Sequence, residues 1–154
     1  MAQTETRPQI PTGVKTERYR LRTPLMQQGR LDTVLAQTDH MQVRIKCYAT
    51  GGENEFHAHA AEDHTFVILQ GQARFWQPEG EVGVFGRNEG ILIPLGAYYR
   101  FESCGDEPLV LLRVGAKTGD VEVPRLTVDG RPIPGHSEEN RTVPPIVMEG
   151  AFYE

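Results

Sequence analysis

The sequence predicts an all-β domain, on three observations. Sixteen glycines and eleven prolines punctuate a chain of 154 residues at short intervals through its middle. Between them lie short runs rich in branched and aromatic residues, at 41–49, 65–69, 72–76, 81–85, 91–94, 98–102 and 109–114. Many short strands separated by turn signals read as a sandwich or barrel. Helical periodicity is nearly absent: only Leu31, Val34 and Leu35 stand at i, i+3 and i+4, a spacing that predicts one or two helical turns ahead of the strands.

Taken in order, residues 1–24 are rich in Thr, Pro and charge and read as an N-terminal arm, with an edge strand expected at 18–22. Residues 25–115 hold the strand domain. Residues 116–154 read as a C-terminal extension, irregular because Pro124, Pro132, Pro134, Pro144 and Pro145 break any long element. Within it, 125–128 and 131–133 are expected to form a small hairpin on a type I′ turn at Asp129-Gly130. The last stretch carries Ile146, Val147, Met148, Phe152 and Tyr153. That much apolar surface is expected to dock on the strand domain or on a neighbouring subunit. Arm and tail suited to exchange between subunits predict a homodimer.

Length and composition bound the function. At 17.3 kDa and 38% hydrophobic residues the chain suits one globular domain with a core. A net charge of −5 and a pI near 5.6 argue against non-specific binding to nucleic acid or to anionic membranes. There is no run of 18 apolar residues, and the opening MAQTETRPQIPTG has no apolar stretch of signal-peptide kind, so a cytoplasmic protein is expected. Cys47 and Cys104 are too few and too far apart for a disulfide scaffold or a thiolate zinc site. No phosphate loop, dinucleotide fingerprint or GxSxG is present.

The chemistry concentrates in histidines. His57, His59 and His64 fall within eight residues. On a strand, i and i+2 share a face about 6.5–7 Å apart, so His57 and His59 can converge on one ion. The intervening Ala60, Ala61, Glu62 and Asp63 are enough to turn the chain, so that His64 offers a third imidazole from a return strand. Glu62 is the rival third ligand if the turn is wound differently. Glu55 and Asp63 read as a solvated rim, and His40 and His136 as exposed or packed.

Here the sequence resembles the cupin superfamily. The first cupin motif runs Gly, five residues, His-x-His, three or four residues, Glu, six residues, Gly; Gly51, His57-Ala58-His59, His64 and Gly71 match every spacing, with His64 at the Glu position. The second runs Gly, five residues, Pro-x-Gly, two residues, His, three residues, Asn; Pro94-Leu95-Gly96 fits, while Asn88, Tyr99 and Ser103 stand at the Gly, His and Asn positions. The resemblance covers roughly residues 41 to 114 and implies a small double-stranded β-barrel, or jelly roll, with a metal in its lumen. It implies His57, His59 and His64 as ligands of a divalent transition ion, iron first, with zinc, nickel, copper or manganese as alternatives.

Replacing a ligating Glu by His removes a negative charge and leaves the ion a stronger Lewis acid toward an enolate, phenolate or carboxylate. Tyr99 has three readings: a direct ligand, an acid, base or hydrogen-bond donor to a bound substrate, or packing. With Tyr99 at the motif's His position, the resemblance and strand alternation together imply that Tyr99 and Phe101 point inward, and Phe66 and Ile68 share parity with His64. Of Phe75 and Trp76, one is expected in the cavity, and Trp76 is taken as the substrate contact. Arg44 is placed to anchor a substrate carboxylate if its face of the 41–49 strand turns inward. The resulting expectation is a metal-dependent enzyme, most concretely an Fe(II)-type oxygenase of small aromatic or enolisable acids. The alternatives are a non-redox zinc-type isomerase, lyase or cyclase, or a non-catalytic module binding a small molecule.

Overall fold

The computed structural model of the chain describes residues 7–119, 123–133 and 143–154. Among them are β1 (Thr23–Gln28), β2 (Arg30–Gln37), β3 (Met41–Tyr48), β4 (His57–Ala58), β5 (Glu62–Gln70), β6 (Ala73–Gln77), β7 (Gly80–Phe85), β8 (Gly90–Ile93), β9 (Arg100–Ser103), β10 (Leu109–Lys117), β11 (Arg125–Thr127), β12 (Pro132–Ile133) and β13 (Ile146–Tyr153). No helix among the described residues is long and apolar enough to cross a membrane.

The strands stack as the layers of a jelly roll. One sheet has the order β2-β3-β10-β5-β8. Facing it are β7-β6-β9 and β12-β11-β4, tied to each other by a bridge between His57 and Tyr99. Both layers contribute to one core of Tyr48, Phe66, Ile68, Ala73, Phe75, Ile93, Tyr99, Phe101, Leu109 and Leu111. Phe75, fully buried, stacks on Phe101 with ring centroids 4.9 Å apart. Burying a side chain of that size contributes about 1.5–3 kcal/mol.

A second cluster, Met26, Ile45, Cys47 and Val110, lies on the other face of the five-stranded sheet. The antiparallel pair β1-β13 covers it, and Tyr153 packs into it. This settles the alternation in β3. Val43, Ile45 and Cys47 turn toward the β1-β13 side, so Gln42, Arg44, Lys46 and Tyr48 turn toward the lumen. β10 is apolar on both faces, LVLLRVG, because it is the middle strand of a sheet covered on both sides.

Four local expectations are corrected. Leu31, Val34 and Leu35 lie in a strand, not a helical turn: β2 pairs with β3 along its length. The i, i+4 spacing of Leu31 and Leu35 fits two steps of a period of 2 equally well, and a bulge between Val34 and Ala36 accommodates Leu35. Residues 18–22 are not a strand; β1 begins at Thr23, where β13 supplies a partner. The extension is not irregular to its end, since 146–153 pair with β1. The hairpin of β11 and β12 forms, but its turn is not type I′. Gly130 alone takes positive φ there, and its N–H donates to the Thr127 carbonyl. The Thr127 hydroxyl bonds the Asp129 carboxylate and accepts from the Arg131 N–H at 2.9 Å. Pro134 and His136 lie outside the described residues.

Candidate functional site

Main-chain pairing places the imidazoles. His57 and Tyr99 exchange backbone hydrogen bonds, His57 N–H to the Tyr99 carbonyl at 3.2 Å and Tyr99 N–H to the His57 carbonyl at 3.1 Å. Their side chains therefore rise together from one layer, with ring centroids 4.6 Å apart. His64 rises from β5 on the facing sheet, in the register row of Ile93 and Gly115. The turn between β4 and β5 folds His59 back so that its ring lies 4.6 Å from His64 and 5.4 Å from His57. The three histidines and Tyr99 are thus brought together in the lumen, as the motif spacing implied. Asn88 stands where the second motif has glycine, and its φ of 68° is the left-handed conformation that Asn tolerates better than most residues.

The hydrogen bonds fix the tautomers. His57 Nδ1–H donates to the Glu55 carbonyl at 2.9 Å, so its Nε2 carries a lone pair. That nitrogen accepts the Tyr99 O–H at 3.2 Å. The Tyr99 oxygen is then left to accept from His64 Nε2–H at 3.0 Å. The same assignment leaves His64 Nδ1 as a buried lone pair with no partner. Burial, with the positive charges of Arg125, Lys46 and Arg113 adding to it, holds His57 down to about 3. Burial and the neighbouring Arg113 and His57 hold His64 at about 2, and burial beside His64 and Arg113 takes His59 lower still. All three are neutral at physiological pH. Burial pushes the Tyr99 phenol well above its ordinary range, so it keeps its proton.

Neutral imidazoles are the form that binds a metal. A histidine whose Nδ1–H is held by a carbonyl is the usual presentation of a ligating Nε2. By donor chemistry the residues fit a divalent transition ion. Their arrangement is that of a hydrogen-bonded cluster, with the Nε2 atoms of His57 and His64 both on the Tyr99 hydroxyl. Among the described residues no group of three or more His, Cys, Asp or Glu side chains is arranged to hold a metal ion.

Glu62 takes another place. Its Oε1 accepts from Arg113 Nη2 at 2.8 Å, and its Oε2 stands 3.5 Å from His59 Nδ1. It joins His59 to Arg113 at the rim of the cluster. Room for it comes from Gly115, opposite His64 in β10: a Cβ there would overlap Glu62 Oε1 and reach within 2.9 Å of Arg113 Nη1. The presumed rim residues are also engaged, Asp63 through Leu95 N–H at 2.7 Å and Glu55 with Arg131 at 3.8 Å.

The remaining candidates separate. Phe66 and Phe101 form a buried floor beneath Tyr99, 5.3 Å apart and 6.0 and 6.5 Å from it. Trp76 is not beside them. Phe75 takes the inward position of the alternation, and Trp76 lies on the other face of its sheet beneath Arg100, 4.1 Å from the guanidinium carbon. Arg44 is on the lumen side, donating to Asp32 at 2.8 Å, and Lys46 meets the other oxygen of that carboxylate at 3.0 Å. Arg113 and Gly115 escaped the sequence reading. The available signal was an ionisable residue inside the apolar run Leu111, Leu112, Arg113, Val114, where a charge is costly unless it has a partner.

Comparison with known proteins agrees with this fold. Residues 44–115 match the family described as Cupin domain. Over 87 residues, 56% of the chain, it is 37% identical to the mannose-1-phosphate guanylyltransferase ManC of Salmonella typhimurium, and spans 18% of that protein's length. A conserved protein with a double-stranded beta-helix domain from Klebsiella pneumoniae superposes with a TM-score of 0.54 at 20% identity, covering 62% of this chain and 83% of that one. The DMSP lyase DddQ of Ruegeria pomeroyi gives 0.54 at 20% identity, covering 66% of this chain and 53% of its own. At these identities the likeness is one of fold. Cupins commonly bind divalent metals. By motif and family match, residues 44–115 form a domain of the cupin superfamily.

Proposed function

We propose that this cupin is a metal-dependent enzyme acting on a small aromatic or enolisable acid, with His57, His59 and His64 holding a divalent transition ion, iron first. The observation that supports the reading best is the Tyr99 hydroxyl set between two neutral imidazole nitrogens in a fully enclosed position. Such an ion would supply a Lewis acid toward an enolate, phenolate or carboxylate oxygen and, as iron, a site for dioxygen. Tyr99 holds the exchangeable proton at its phenolic oxygen, and burial keeps it there at neutral pH. Toward a bound enolate or phenolate it is therefore a hydrogen-bond donor. Phe66 and Phe101 close the floor and exclude water beneath the reacting atoms. Glu62, fixed by Arg113, stands 3.5 Å from His59 Nδ1.

The same Tyr99 relay is acid–base machinery, and it favours as the second reading a non-redox isomerase, lyase or cyclase of zinc type. Elemental analysis of protein purified from cells, followed by oxygen uptake with catechols and diketones, separates the two. Iron with uptake supports the oxygenase. Tightly held zinc without uptake supports the second reading, and no metal at all leaves a small-molecule binding module. His64→Ala is expected to reduce metal occupancy sharply while Glu62→Ala leaves it nearly intact; the reverse result overturns the ligand assignment. Tyr99→Phe is expected to keep the metal and lose turnover.

A further inference from the structure

The five-stranded sheet turns a charged wall toward the histidines. Register pairs Phe66 with Arg113 and Arg113 with Arg44, so these three share one row across the lumen face. The next row carries Ile68, Leu111, Lys46 and Asp32. The row on the other side carries His64 and Gly115. Arg113 has a side chain 7% exposed, and Glu62, through Nη2 alone, is its hydrogen-bond acceptor among the described residues. A guanidinium carries five N–H donors in a fixed fork, so the one bond to Glu62 leaves most of this one's donors without an acceptor among the described residues. Lys46 shares a single carboxylate, Asp32, with Arg44. The chain as a whole has a net charge of −5, yet on this wall the cations Arg44, Lys46 and Arg113 outnumber the carboxylates Asp32 and Glu62, and an enclosed positive wall concentrates anions.

We propose that the Arg113 guanidinium, with the Lys46 ammonium one row along, seats the carboxylate of a small organic acid whose other end lies at His57, His59, His64 and Tyr99. This deepens the proposed function and rests on its reading of the chamber as the substrate site. The fork of Arg113 matches the two oxygens of a carboxylate. Phe66, beside it in the row, offers an apolar face to the carbon skeleton. Rows two residues apart lie roughly 7 Å from one another, which suits an acid of the length of benzoate or glutarate.

The test is calorimetric titration of the full chain, as purified and after chelation, with benzoate and glutarate as probes and benzamide and glutaramide as uncharged controls. The acids are expected to bind in both preparations and the amides are not. Arg113→Gln is expected to weaken acid binding about 10- to 100-fold, the loss of a charge-assisted hydrogen bond. Lys46→Gln is expected to weaken it several-fold, and Lys15→Gln, an exposed charge on the arm, to leave it unchanged. Because Arg113→Gln leaves Glu62 without its cation, the double variant Arg113→Gln/Glu62→Gln serves if the single variant does not fold. Equal binding of acids and amides, no binding of either acid, unchanged affinity in the Arg113 and Lys46 variants, or tighter binding of inorganic phosphate than of the acids each overturns the proposal. A chain that takes up no metal yet binds acids through Arg113 overturns the metal-dependent function and supports the anchor.

Discussion

Gly115→Ala isolates the contact between the imidazole cluster and the charged wall. The added Cβ would overlap Glu62 Oε1 and approach Arg113 Nη1 to 2.9 Å, so the carboxylate must leave its place. What is lost is a charge-assisted hydrogen bond of 2.8 Å between side chains that are 7% and 18% exposed. Bonds to charged groups contribute about 1.5–3 kcal/mol. For a domain of this size each kcal/mol moves the midpoint by about 2–4 °C, so Tm is expected to fall by about 3–12 °C. Calorimetry of wild type, Gly115→Ala, Glu62→Ala and the double variant forms a closed cycle. In the Glu62→Ala background the methyl group has no carboxylate to displace, and Gly115→Ala is expected to cost less than about 0.5 kcal/mol. A loss of the same size in both backgrounds would show that Gly115 serves the backbone, not Glu62, and would refute the reasoning.

Other expectations follow from the same contacts. In chelated protein, stability is expected to fall as pH drops. His57 and His64 are held at about 3 and 2 against an ordinary 6.5, and His59 is lowered as well, so the unfolded chain binds protons that the folded chain refuses. Between pH 7.5 and 5.5 each imidazole removes on the order of 1.4 kcal/mol, about 4 kcal/mol for the three, which denaturant titration at both pH values measures; a flat profile contradicts their burial as neutral rings. Asp32, held at about 2 by Lys46 and Arg44 against the opposing effect of burial, contributes stability above pH 3.8 that is lost as pH falls toward 2, steepening the acid limb. Phe75→Ala, opening a hole beside Phe101, is expected to cost about 3–5 kcal/mol, read from urea midpoints. We also propose a homodimer: Ile146, Val147, Met148 and Phe152 on β13 stay substantially exposed, and light scattering is expected to give the mass of two chains, a single-chain mass refuting it.

The imidazole cluster was legible because a strand writes its geometry directly: His57 and His59 at i, i+2, with His64 one turn away, fall at the spacings of the first cupin motif. Tyr99 was legible because it stands at the His position of the second cupin motif, and Phe101 by parity with it. Trp76 was not, because alternation fixes that neighbours point apart but not which one points inward; the Phe75–Phe101 stack decides it. Arg113 was hidden because its meaning depends on register with Phe66 and on a carboxylate 51 residues away. The Leu31–Leu35 spacing fits both periods, and only the pairing with β3 resolves it. β13 was missed because its partner β1 is more than a hundred residues distant, and a strand defined by so remote a neighbour leaves little trace in its own residues.

The paired main-chain bonds between His57 and Tyr99 have one more consequence. They hold the backbone of position 99 irrespective of its side chain, so any replacement there leaves along the same vector into the chamber. Position 99 is therefore an interchangeable socket: installing His, Glu or Cys at Tyr99 would hand the centre a different donor atom without redesigning the barrel that carries it.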